Sequence, residues 1–378
     1  MDDSVAPDLR LDSKELVTTA AVSKPTGPYV RSTGPPRRVN PRDAVELQLL
    51  QIWRDVLGVD GIDVTADFFD VGGSSVYALV IVGLIRQRFR RRLALDVFFS
   101  AGTVEALAGL LRAGRRGART CVVPIRTGGS RRPLFAVHTL AGTVMHFAPL
   151  ANALGPDQPF YGIQATGIGG GTPQRTVRAM ARRYVHDMRA VQAEGPYQLC
   201  GYSGGGAIAW EMACQLAEAG QSTSALILVD SHPVSELPLD DSYWIDLLAH
   251  RFLGFCREAV DVAKQPTEER QIASLLEIAH RVRRIPPDYG PDEVRRIVRQ
   301  YMSTTQALNV YRPRPYRGPA LLIRTDVHPD GPDETRGWPV TDGRVRVARV
   351  GADHFNVMGE SQAALIADAM RPHLHEEP

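Results

Sequence analysis

The sequence predicts a small four-helix domain followed by an α/β domain whose mostly parallel sheet carries a helical lid insertion. Residues 41–116 show only the apolar spacing of helices. Residues 121–376 instead alternate short apolar runs with helical stretches, and this alternation predicts parallel strands joined by crossover helices. Between residues 235 and 312 the alternation gives way to consecutive helical patterns. We therefore expect a lid inserted between two strands.

The bulk composition excludes several functional classes. The 44 basic and 42 acidic residues leave a formal net charge of +2, so neither nucleic acid nor a membrane surface is predicted as a partner. No apolar run approaches the roughly 20 residues of a membrane helix, and the N-terminus lacks a signal-peptide pattern. The four cysteines are widely separated, without zinc or disulfide spacing. These features predict a cytoplasmic protein with free thiols and no metal site.

The N-terminal part begins with residues 1–40, which are rich in Ser, Thr, Pro and Arg and predict a flexible arm. A first helix, which ends before Gly58, is predicted by an apolar stripe of Leu49, Ile52, Trp53, Val56 and Leu57. A second helix begins near Ser75, and a last one opens at Thr103. Residues 112–117 are typical of a linker, which closes the helical domain.

Seven strands are predicted in the second domain. Short apolar runs mark them at residues 121–126, 134–138, 160–164, 197–202, 225–230, 319–324 and 345–350. The gap between the fifth and sixth strands contains the lid, whose helical pattern includes Trp244, Leu247, Leu248 and Phe252.

A serine near the start of the second helix is a candidate attachment site. Gly72 and Gly73 immediately precede Ser74 and Ser75, where this helix opens. Unpaired N–H groups and the positive end of the helix dipole would stabilise a phosphodiester there, and the glycines would keep the hydroxyl accessible. The alternative is that Ser74 or Ser75 only caps the helix, which is the commoner role of serine at such a position.

The main catalytic candidate is a serine at a strand-to-helix turn, in the stretch Gly201-Tyr202-Ser203-Gly204-Gly205. An apolar run precedes this stretch and a helical pattern follows it. That context predicts a nucleophile turn, because the glycines permit a tight bend and close packing of the helix. Ser203 is the predicted nucleophile, and its hydroxyl needs a base to accept its proton and a carboxylate to orient that base.

His354 is the predicted base, and two aspartates compete as the acid. His354 follows the last predicted strand, whereas the other nine histidines lie on helices, in the terminal tail or before the expected position. Asp230 ends the fifth predicted strand, 27 residues after Ser203, and Asp326 follows the sixth. The later strand is the usual position of the acid in hydrolases, so the residues alone leave both aspartates open.

The attacked carbonyl would develop an oxyanion, which needs preorganised N–H donors. One donor is predicted at Gly204, directly after the nucleophile. The other is predicted in the loop from His138 to Gly142, where we assign it to Leu140. His138 itself is expected to shape this loop rather than to act as a base.

Residues Asp43 to Leu111 resemble the peptidyl carrier domains of nonribosomal peptide synthetases. The matching features are Phe68-Phe69, Val71-Gly72-Gly73-Ser74-Ser75 and Thr103-Val104-Glu105-Ala106-Leu107. Val71 stands where leucine is usual in the family. The resemblance implies that Ser75 carries a covalent 4'-phosphopantetheine, with Ser74 as the less favoured position.

Residues 121 to about 376 resemble the terminal thioesterase domains of nonribosomal peptide and polyketide synthases, which have the α/β-hydrolase fold. The matching stretches are Pro133-Leu134-Phe135 with the loop after it, Gly201 to Gly205 with Trp210-Glu211-Met212-Ala213, Leu228-Val229-Asp230-Ser231, and Gly351-Ala352-Asp353-His354-Phe355. The resemblance favours Asp230 over Asp326, because this branch more often takes its acid from the earlier strand. One departure is Thr139-Leu140-Ala141, where proline and small residues are frequent.

Together the two resemblances imply an enzyme that releases an acyl or peptidyl chain from a carrier through a Ser203 acyl-enzyme, by hydrolysis or macrocyclisation. The implied partners are a phosphopantetheinyl transferase, upstream modules with condensation and adenylation domains, and a thioester substrate. Two alternatives stay open. The chain is a trans-acting acyl shuttle or editing thioesterase if Met1 is a natural start, or it is a carrier scaffold with an inactive hydrolase fold.

Overall fold

A computed structural model of the chain describes residues 39–59, 61–91, 93–113, 120–168, 173–233, 237, 239–253, 261–281, 290–325, 335–339, 345–354 and 356–374. The arm predicted at residues 1–40 falls almost entirely outside the described residues. Asp326, the alternative acid, also lies outside them, as does most of the linker predicted at residues 112–117.

Four helices form the N-terminal domain: α1 (Ala44–Leu57), α2 (Ser75–Phe89), α3 (Val97–Ser100) and α4 (Val104–Ala113). The Asp43 side chain caps α1 by accepting hydrogen bonds from two backbone N–H groups of its first turn. Gly58 ends α1 in the left-handed region, at φ 65°, where a glycine costs least. Both ends of the first helix are therefore encoded locally.

Aromatic side chains form the centre of this helical domain. Trp53, Phe68 and Phe98 are each at most 1% exposed. The Phe68 ring meets Trp53 edge-on at 5.4 Å and stacks on Phe98 at 4.2 Å. Full burial of such a side chain contributes about 1.5–3 kcal/mol. Because the Phe68 carbonyl also accepts a hydrogen bond from the N–H of Gly73 at 2.8 Å, this core fixes the loop in front of α2.

The second domain is built on a seven-stranded sheet in the order β1-β3-β2-β4-β5-β6-β7. The strands are β1 (Val122–Arg126), β2 (Leu134–Val137), β3 (Phe160–Ile163), β4 (Tyr197–Tyr202), β5 (Thr223–Val229), β6 (Ala320–Thr325) and β7 (Val345–Val350). Every neighbouring pair is parallel except β1 with β3. Each strand lies within two residues of its predicted bounds, and the predicted fold class is confirmed.

Helices cover both faces of the sheet. They are α5 (Ala148–Leu154), α6 (Val177–Met188), α7 (Gly204–Glu218) and α11 (Glu360–Leu374). Alternate residues of the central strands belong to two separate apolar clusters, one with α6 and α7 and the other with α5 and α11. Burial on both faces explains why these strands appear as continuous apolar runs in the sequence. Within the described part of the chain, no helix combines the length and apolarity needed to cross a membrane.

The lid lies between β5 and β6 and contains α8 (Asp241–Leu253), α9 (Glu268–Arg281) and α10 (Pro291–Asn309). Its helices share an apolar core in which Trp244 stacks on Tyr301 at 5.2 Å. After α10 the chain is tied back to α7, because the Tyr311 hydroxyl donates to the buried Glu211 carboxylate at 3.0 Å. The lid and domain limits given above stay predictions, although helices occupy the predicted lid region.

The helical domain packs against the sheet domain through α3 and β1. Asp96, just before α3, accepts a hydrogen bond from the Gln164 amide at 3.0 Å. Met145, from the short 3-10 turn before α5, packs into the core of the helical domain. In the opposite direction, Phe99 packs against the apolar core beneath β1. The two domains therefore share an interface of apolar and polar contacts.

Candidate active site

Ser203 stands at a strained turn between β4 and α7. Its backbone has φ 55° and ψ −130°, a conformation that costs a residue with a side chain about 1–3 kcal/mol. Two contacts hold it: the Ser203 N–H donates to the carbonyl of Val229 at 3.0 Å, and the hydroxyl of Ser231 donates to the Ser203 carbonyl at 2.7 Å. The turn is therefore held by hydrogen bonds to the end of β5 and to the residue just beyond it.

Two glycines after Ser203 permit the close approach of α7 to the sheet. A Cβ atom on Gly205 would lie 2.5 Å from the carbonyl oxygens of Val137 and His138 at the end of β2. A Cβ atom on Gly206 would lie 2.1 Å from the hydroxyl of Ser231. Both distances are shorter than a Cβ contact allows, so these positions require glycine for packing.

Three side chains predicted from the sequence meet above the sheet. The Oγ atom of Ser203 lies 3.0 Å from Nε2 of His354, and Nδ1 of His354 lies 2.7 Å from Oδ2 of Asp230. Since the ionised carboxylate can only accept, Nδ1 carries the hydrogen, and Nε2 is left to accept the serine proton. The arrangement fits a nucleophile, a base and an acid in hydrogen-bond contact.

Asp230 is a buried carboxylate that contacts both the guanidinium of Arg336 and the imidazole of His354. Its side chain is fully enclosed, and its Oδ1 atom accepts a hydrogen bond from Nη1 of Arg336 at 2.7 Å. Burial raises the pKa of Asp230, but the hydrogen bonds and charges of His354 and Arg336 outweigh it and hold the pKa below its usual range. The carboxylate is therefore ionised at neutral pH.

Arg336 carries no signal in the sequence that marks it as a site residue. It follows Asp230 by 106 residues, belongs to no recognisable pattern and is one of many arginines in the chain. Only the folded position of residues 335–339 brings its guanidinium to Asp230.

The loop that carries His354 is held on both sides. The hydroxyl of Tyr202 donates to the backbone carbonyl of His354. On the other side, Asp353 receives the N–H of Asn356 at 3.1 Å, which closes the turn after the histidine. Asp353 therefore shapes the loop, and its carboxylate is occupied by the residues that follow.

The two predicted oxyanion donors come from neighbouring parts of the site. Gly204 is the first residue of α7, directly after Ser203. A Cβ atom on Gly204 would lie 3.1 Å from a methyl carbon of Leu140, so the His138 to Gly142 loop borders the nucleophile. The structure brings Leu140 and Gly204 together, while their roles as donors stay predictions.

His138 is fully buried beneath this loop. Its Nδ1 contacts the carbonyl of Thr139 at 2.6 Å and its Nε2 contacts the hydroxyl of Tyr184 at 2.7 Å. Nδ1 must carry the hydrogen to satisfy the carbonyl, so Nε2 accepts from the tyrosine. Burial lowers the pKa of His138 to about 4, so the ring is neutral. These bonds are consistent with the predicted role of His138 in shaping the loop, and they leave neither ring nitrogen available to Ser203.

In the helical domain, Ser74 and Ser75 occupy different positions at the start of α2. Ser74 is the N-cap of α2, where its hydroxyl accepts the N–H of Tyr77 at 3.5 Å, and Ser75 is the first helical residue. Gly73 packs so closely on Phe68 that a Cβ atom would lie 2.4 Å from the Phe68 carbonyl oxygen. A phosphodiester on Ser75 would lie at the N-terminus of a 15-residue helix, which fits an anionic group.

The helix that begins at Ser75 also reaches the lid. Leu79, one turn further along α2, packs against the apolar core of the lid helices. The same core is contacted by Leu140 and Ala141 of the loop beside Ser203. The first turns of α2 and the predicted oxyanion loop therefore border the same lid surface.

Comparison with known families supports the same division of the chain. The thioesterase domain family matches residues 132–374, and the phosphopantetheine attachment site family matches residues 48–111. The predicted resemblance to a carrier domain followed by a thioesterase domain is confirmed, and so is the phosphopantetheine cofactor. Which serine carries the cofactor is not fixed by these matches.

Similar proteins include a dimodular nonribosomal peptide synthase of Bacillus subtilis, 30% identical over 89% of this chain and 14% of that protein. An indigoidine synthase of Dickeya dadantii is 37% identical over 50% of this chain and 13% of its own length. The chain thus spans only a small part of these relatives.

Solved structures agree in fold. A holo four-domain nonribosomal peptide synthetase bound to AMP and glycine, AB3403, superposes with a TM-score of 0.64 at 24% identity, over 95% of this chain and 28% of that one. The wild-type Vlm2 thioesterase domain gives a TM-score of 0.51 at 22% identity, over 67% of this chain and 97% of that one. With the family match over more than half of its length, the chain belongs to the thioesterase domain family and joins this domain to a phosphopantetheine carrier domain of the nonribosomal peptide synthetase type.

Proposed function

We propose that this chain releases an acyl or peptidyl group from its carrier domain in nonribosomal peptide biosynthesis, through an ester on Ser203. The observation that carries the proposal is the continuous hydrogen-bond line from Oγ of Ser203 through His354 to Asp230, with distances of 3.0 Å and 2.7 Å. Serine hydrolases use this arrangement to make a weakly acidic hydroxyl nucleophilic at neutral pH.

The first half of the reaction forms the ester. Oγ of Ser203 bonds to the carbonyl carbon of the thioester substrate while Nε2 of His354 accepts the hydroxyl proton, and Asp230 stabilises the resulting imidazolium. The backbone N–H groups of Gly204 and Leu140 would bind the oxyanion, each contributing about 3 kcal/mol. When the carbon–sulfur bond breaks, the proton on His354 passes to the departing sulfur.

The second half releases the product. His354, now neutral, accepts a proton from water or from an amine or hydroxyl of the bound chain as that group attacks the ester carbonyl. The bond to Ser203 then breaks and the proton returns to Oγ. Water gives a free acid, whereas a group of the chain itself gives a ring.

Ser75 is the proposed attachment residue for 4'-phosphopantetheine, which when bound presents the acyl group as a thioester. Its position at the start of α2 supports this choice, because Ser74 already serves as the cap. The proposed partners are a phosphopantetheinyl transferase and upstream modules with condensation and adenylation domains. We also propose a cytoplasmic location, supported by the free, buried thiols of Cys121, Cys200 and Cys214.

Intact-mass measurement tests the proposal. The carrier is loaded from octanoyl-coenzyme A by a phosphopantetheinyl transferase, and the mass of the protein is followed with time. We expect the wild type to lose the octanoyl mass as free octanoate appears, and Ser203→Ala to retain it. Ser75→Ala should gain no cofactor mass, whereas the matched variant Ser74→Ala should gain it.

Two other outcomes would replace the proposal. Transfer of the octanoyl group to a second, separately added carrier without free acid would favour the acyl shuttle. Equal retention by the wild type and Ser203→Ala, with octanoyl-pantetheine also left intact in solution, would favour the inactive scaffold.

A further inference from the structure

Arg336 contacts the buried Asp230 from a short segment that is held in place by another residue, Trp338. Residues 335–339 lie between β6 and β7 in the sequence. Within them, the indole N–H of Trp338 donates to the carbonyl of Ser231 at 3.2 Å, and its ring lies 4.7 Å from that of Trp210 on α7. Arg336 itself has φ 51°, a left-handed conformation uncommon for a residue with a side chain. The packing of Trp338 holds the segment over the end of β5.

The two oxygens of Asp230 have different partners. Oδ2 accepts from Nδ1 of His354 at 2.7 Å, and Oδ1 accepts from Nη1 of Arg336 at 2.7 Å. The Arg336 side chain is 7% exposed and that of Asp230 is fully buried, so water contributes little to this pair. With both oxygens held, rotation of the carboxylate would break one of two short charge-assisted bonds.

The guanidinium also changes the electrostatics of the base. A buried carboxylate without a cation is strongly disfavoured, and Arg336 supplies one that stays charged at every working pH. His354 becomes a second cation on the same carboxylate when it accepts a proton. Arg336 and a protonated His354 would therefore share one carboxylate, and their like charges would repel each other.

We propose that Arg336 is a positioning residue that orients Asp230 and sets the lower pH limit at which His354 can act as a base. The proposal rests on the proposed function, since it concerns the proton acceptor of Ser203. Through Asp230, the arginine holds the imidazole in line with Ser203.

Other ionisable groups surround these residues and remain in the chain when Arg336 is substituted. His232 lies 3.3 Å from Nη1 of Arg336, and Arg324 on β6 follows the residue that pairs with Val229. Asp353 precedes His354, and the ring of His146 lies 5.7 Å from that of Tyr202, which itself contacts His354. Any substitution of Arg336 alters its contact with His232, so the charge is isolated by comparing Arg336→Gln with Arg336→Lys, which both lose the guanidinium.

The test follows the reaction of Ser203 with a fluorophosphonate probe as a function of pH, which needs no knowledge of the natural acyl chain. Arg336→Met removes the cation and Arg336→Gln retains a hydrogen-bond donor without charge. In both, we expect the acid limb of the rate profile to move up by roughly one pH unit. The rate below the limb should therefore fall about tenfold more than the rate on the plateau.

Two variants serve as controls. Arg336→Lys keeps the charge and should leave the limb near its wild-type position while lowering the plateau, because a single ammonium orients the carboxylate less well. Arg178→Met removes an exposed arginine from α6 and should leave the whole profile unchanged. Circular dichroism and thermal unfolding establish that each variant is folded, and Arg336→Gln replaces Arg336→Met if that protein does not fold.

The results distinguish the two proposals. If the wild type fails to react at Ser203, the proposed function is wrong. If the wild type reacts but Arg336→Gln lowers thermal stability without moving the acid limb, the arginine is only structural and the inference is wrong. An equal shift in Arg336→Lys and Arg336→Gln would also overturn it, since charge would not be the cause.

Discussion

Tyr202 and His354 make two contacts, a hydrogen bond and a contact between their rings. The hydroxyl of Tyr202 donates to the backbone carbonyl of His354, and the two rings lie 5.3 Å apart. Tyr202 is the last residue of β4 and immediately precedes Ser203. The strand that presents the nucleophile therefore also positions the loop that presents the base.

This contact predicts a catalytic defect without loss of substrate binding. Tyr202→Phe keeps the ring and removes the hydroxyl, so the His354 loop gains freedom. We expect kcat for an acyl-pantetheine to fall about tenfold, equivalent to about 1.4 kcal/mol, with KM changed by less than about twofold. The matched variant Tyr161→Phe on β3 should match the wild type in steady-state kinetics. A Tyr202→Phe enzyme with wild-type kcat would contradict the prediction.

Asp230 is predicted to support both activity and stability. Asp230→Asn should lower kcat by about 10³- to 10⁴-fold, because an amide no longer fixes the imidazole tautomer. It also leaves Arg336 buried without a counter-charge, which should reduce the free energy of unfolding at pH 7 by about 3–5 kcal/mol. Urea unfolding measures this loss, with Asp368→Asn on the exposed side of α11 as the control.

The pKa of Asp230 gives that stability loss a pH dependence. Because the folded-state pKa lies below the ordinary value of 3.8, the ionised carboxylate contributes its stabilisation above about pH 4 and loses it as the pH falls towards the folded-state pKa. The difference in unfolding free energy between wild type and Asp230→Asn should therefore shrink when urea unfolding is repeated at pH 3. A constant difference would show that the charge of Asp230 does not carry the effect.

The low pKa of His138 predicts a second pH dependence of the unfolding free energy, between about pH 4 and pH 6.5. Its pKa is lowered to about 4 in the folded protein, whereas an unfolded histidine titrates near 6.5. As the pH falls from 6.5 to 4, the unfolded state takes up a proton that the folded state does not, so stability falls, by up to roughly 3 kcal/mol. His138→Gln should flatten this part of the stability profile. Chemical unfolding across pH 4 to 7 measures the slope, and an unchanged slope in the variant would refute the prediction.

The glycines after Ser203 predict a position-specific packing cost. Gly205→Ala places a methyl group 2.5 Å from the carbonyl oxygens of Val137 and His138 at the end of β2, so α7 must shift away from the sheet. We expect a loss of about 2–4 kcal/mol in unfolding free energy and little labelling of Ser203 by a fluorophosphonate. Gly109→Ala is the matched control, because Gly109 lies on α4 with open space around it. That substitution should stabilise the helical domain slightly, by about 0.5–1 kcal/mol.

Much of the fold could be predicted because its signals are local. The central strands β2, β4, β5 and β6 are buried on both faces, so each one is a mostly apolar run. The order of the strands could not be predicted in this way. Pairing of β1 with β3, for example, depends on contacts that leave no periodic pattern in either segment.

The candidate site likewise contains residues that could be predicted from local signals and residues that could not. Ser203, Asp230 and His354 follow strand ends, and parallel strands bring such positions to one edge of the sheet. Arg336 follows no strand and no motif, and its contact depends on the packing of Trp338 against α7. The N-cap of α2 could not be assigned either, since Ser74 and Ser75 are chemically alike and only the backbone geometry separates them.

The lid is inserted between two paired strands, and this position makes it possible to exchange the lid between related proteins. The chain leaves the sheet after Val229 and returns at Ala320, and these two strands, β5 and β6, pair directly with each other. A lid of another length or sequence can therefore be grafted between them while the strand register that aligns Asp230 with Ser203 stays the same. Chimaeras that keep Asp230 and Ser231 and exchange only lid residues between Ser231 and Ala320 would change the lid surface beside Ser203 and leave the catalytic side chains in place.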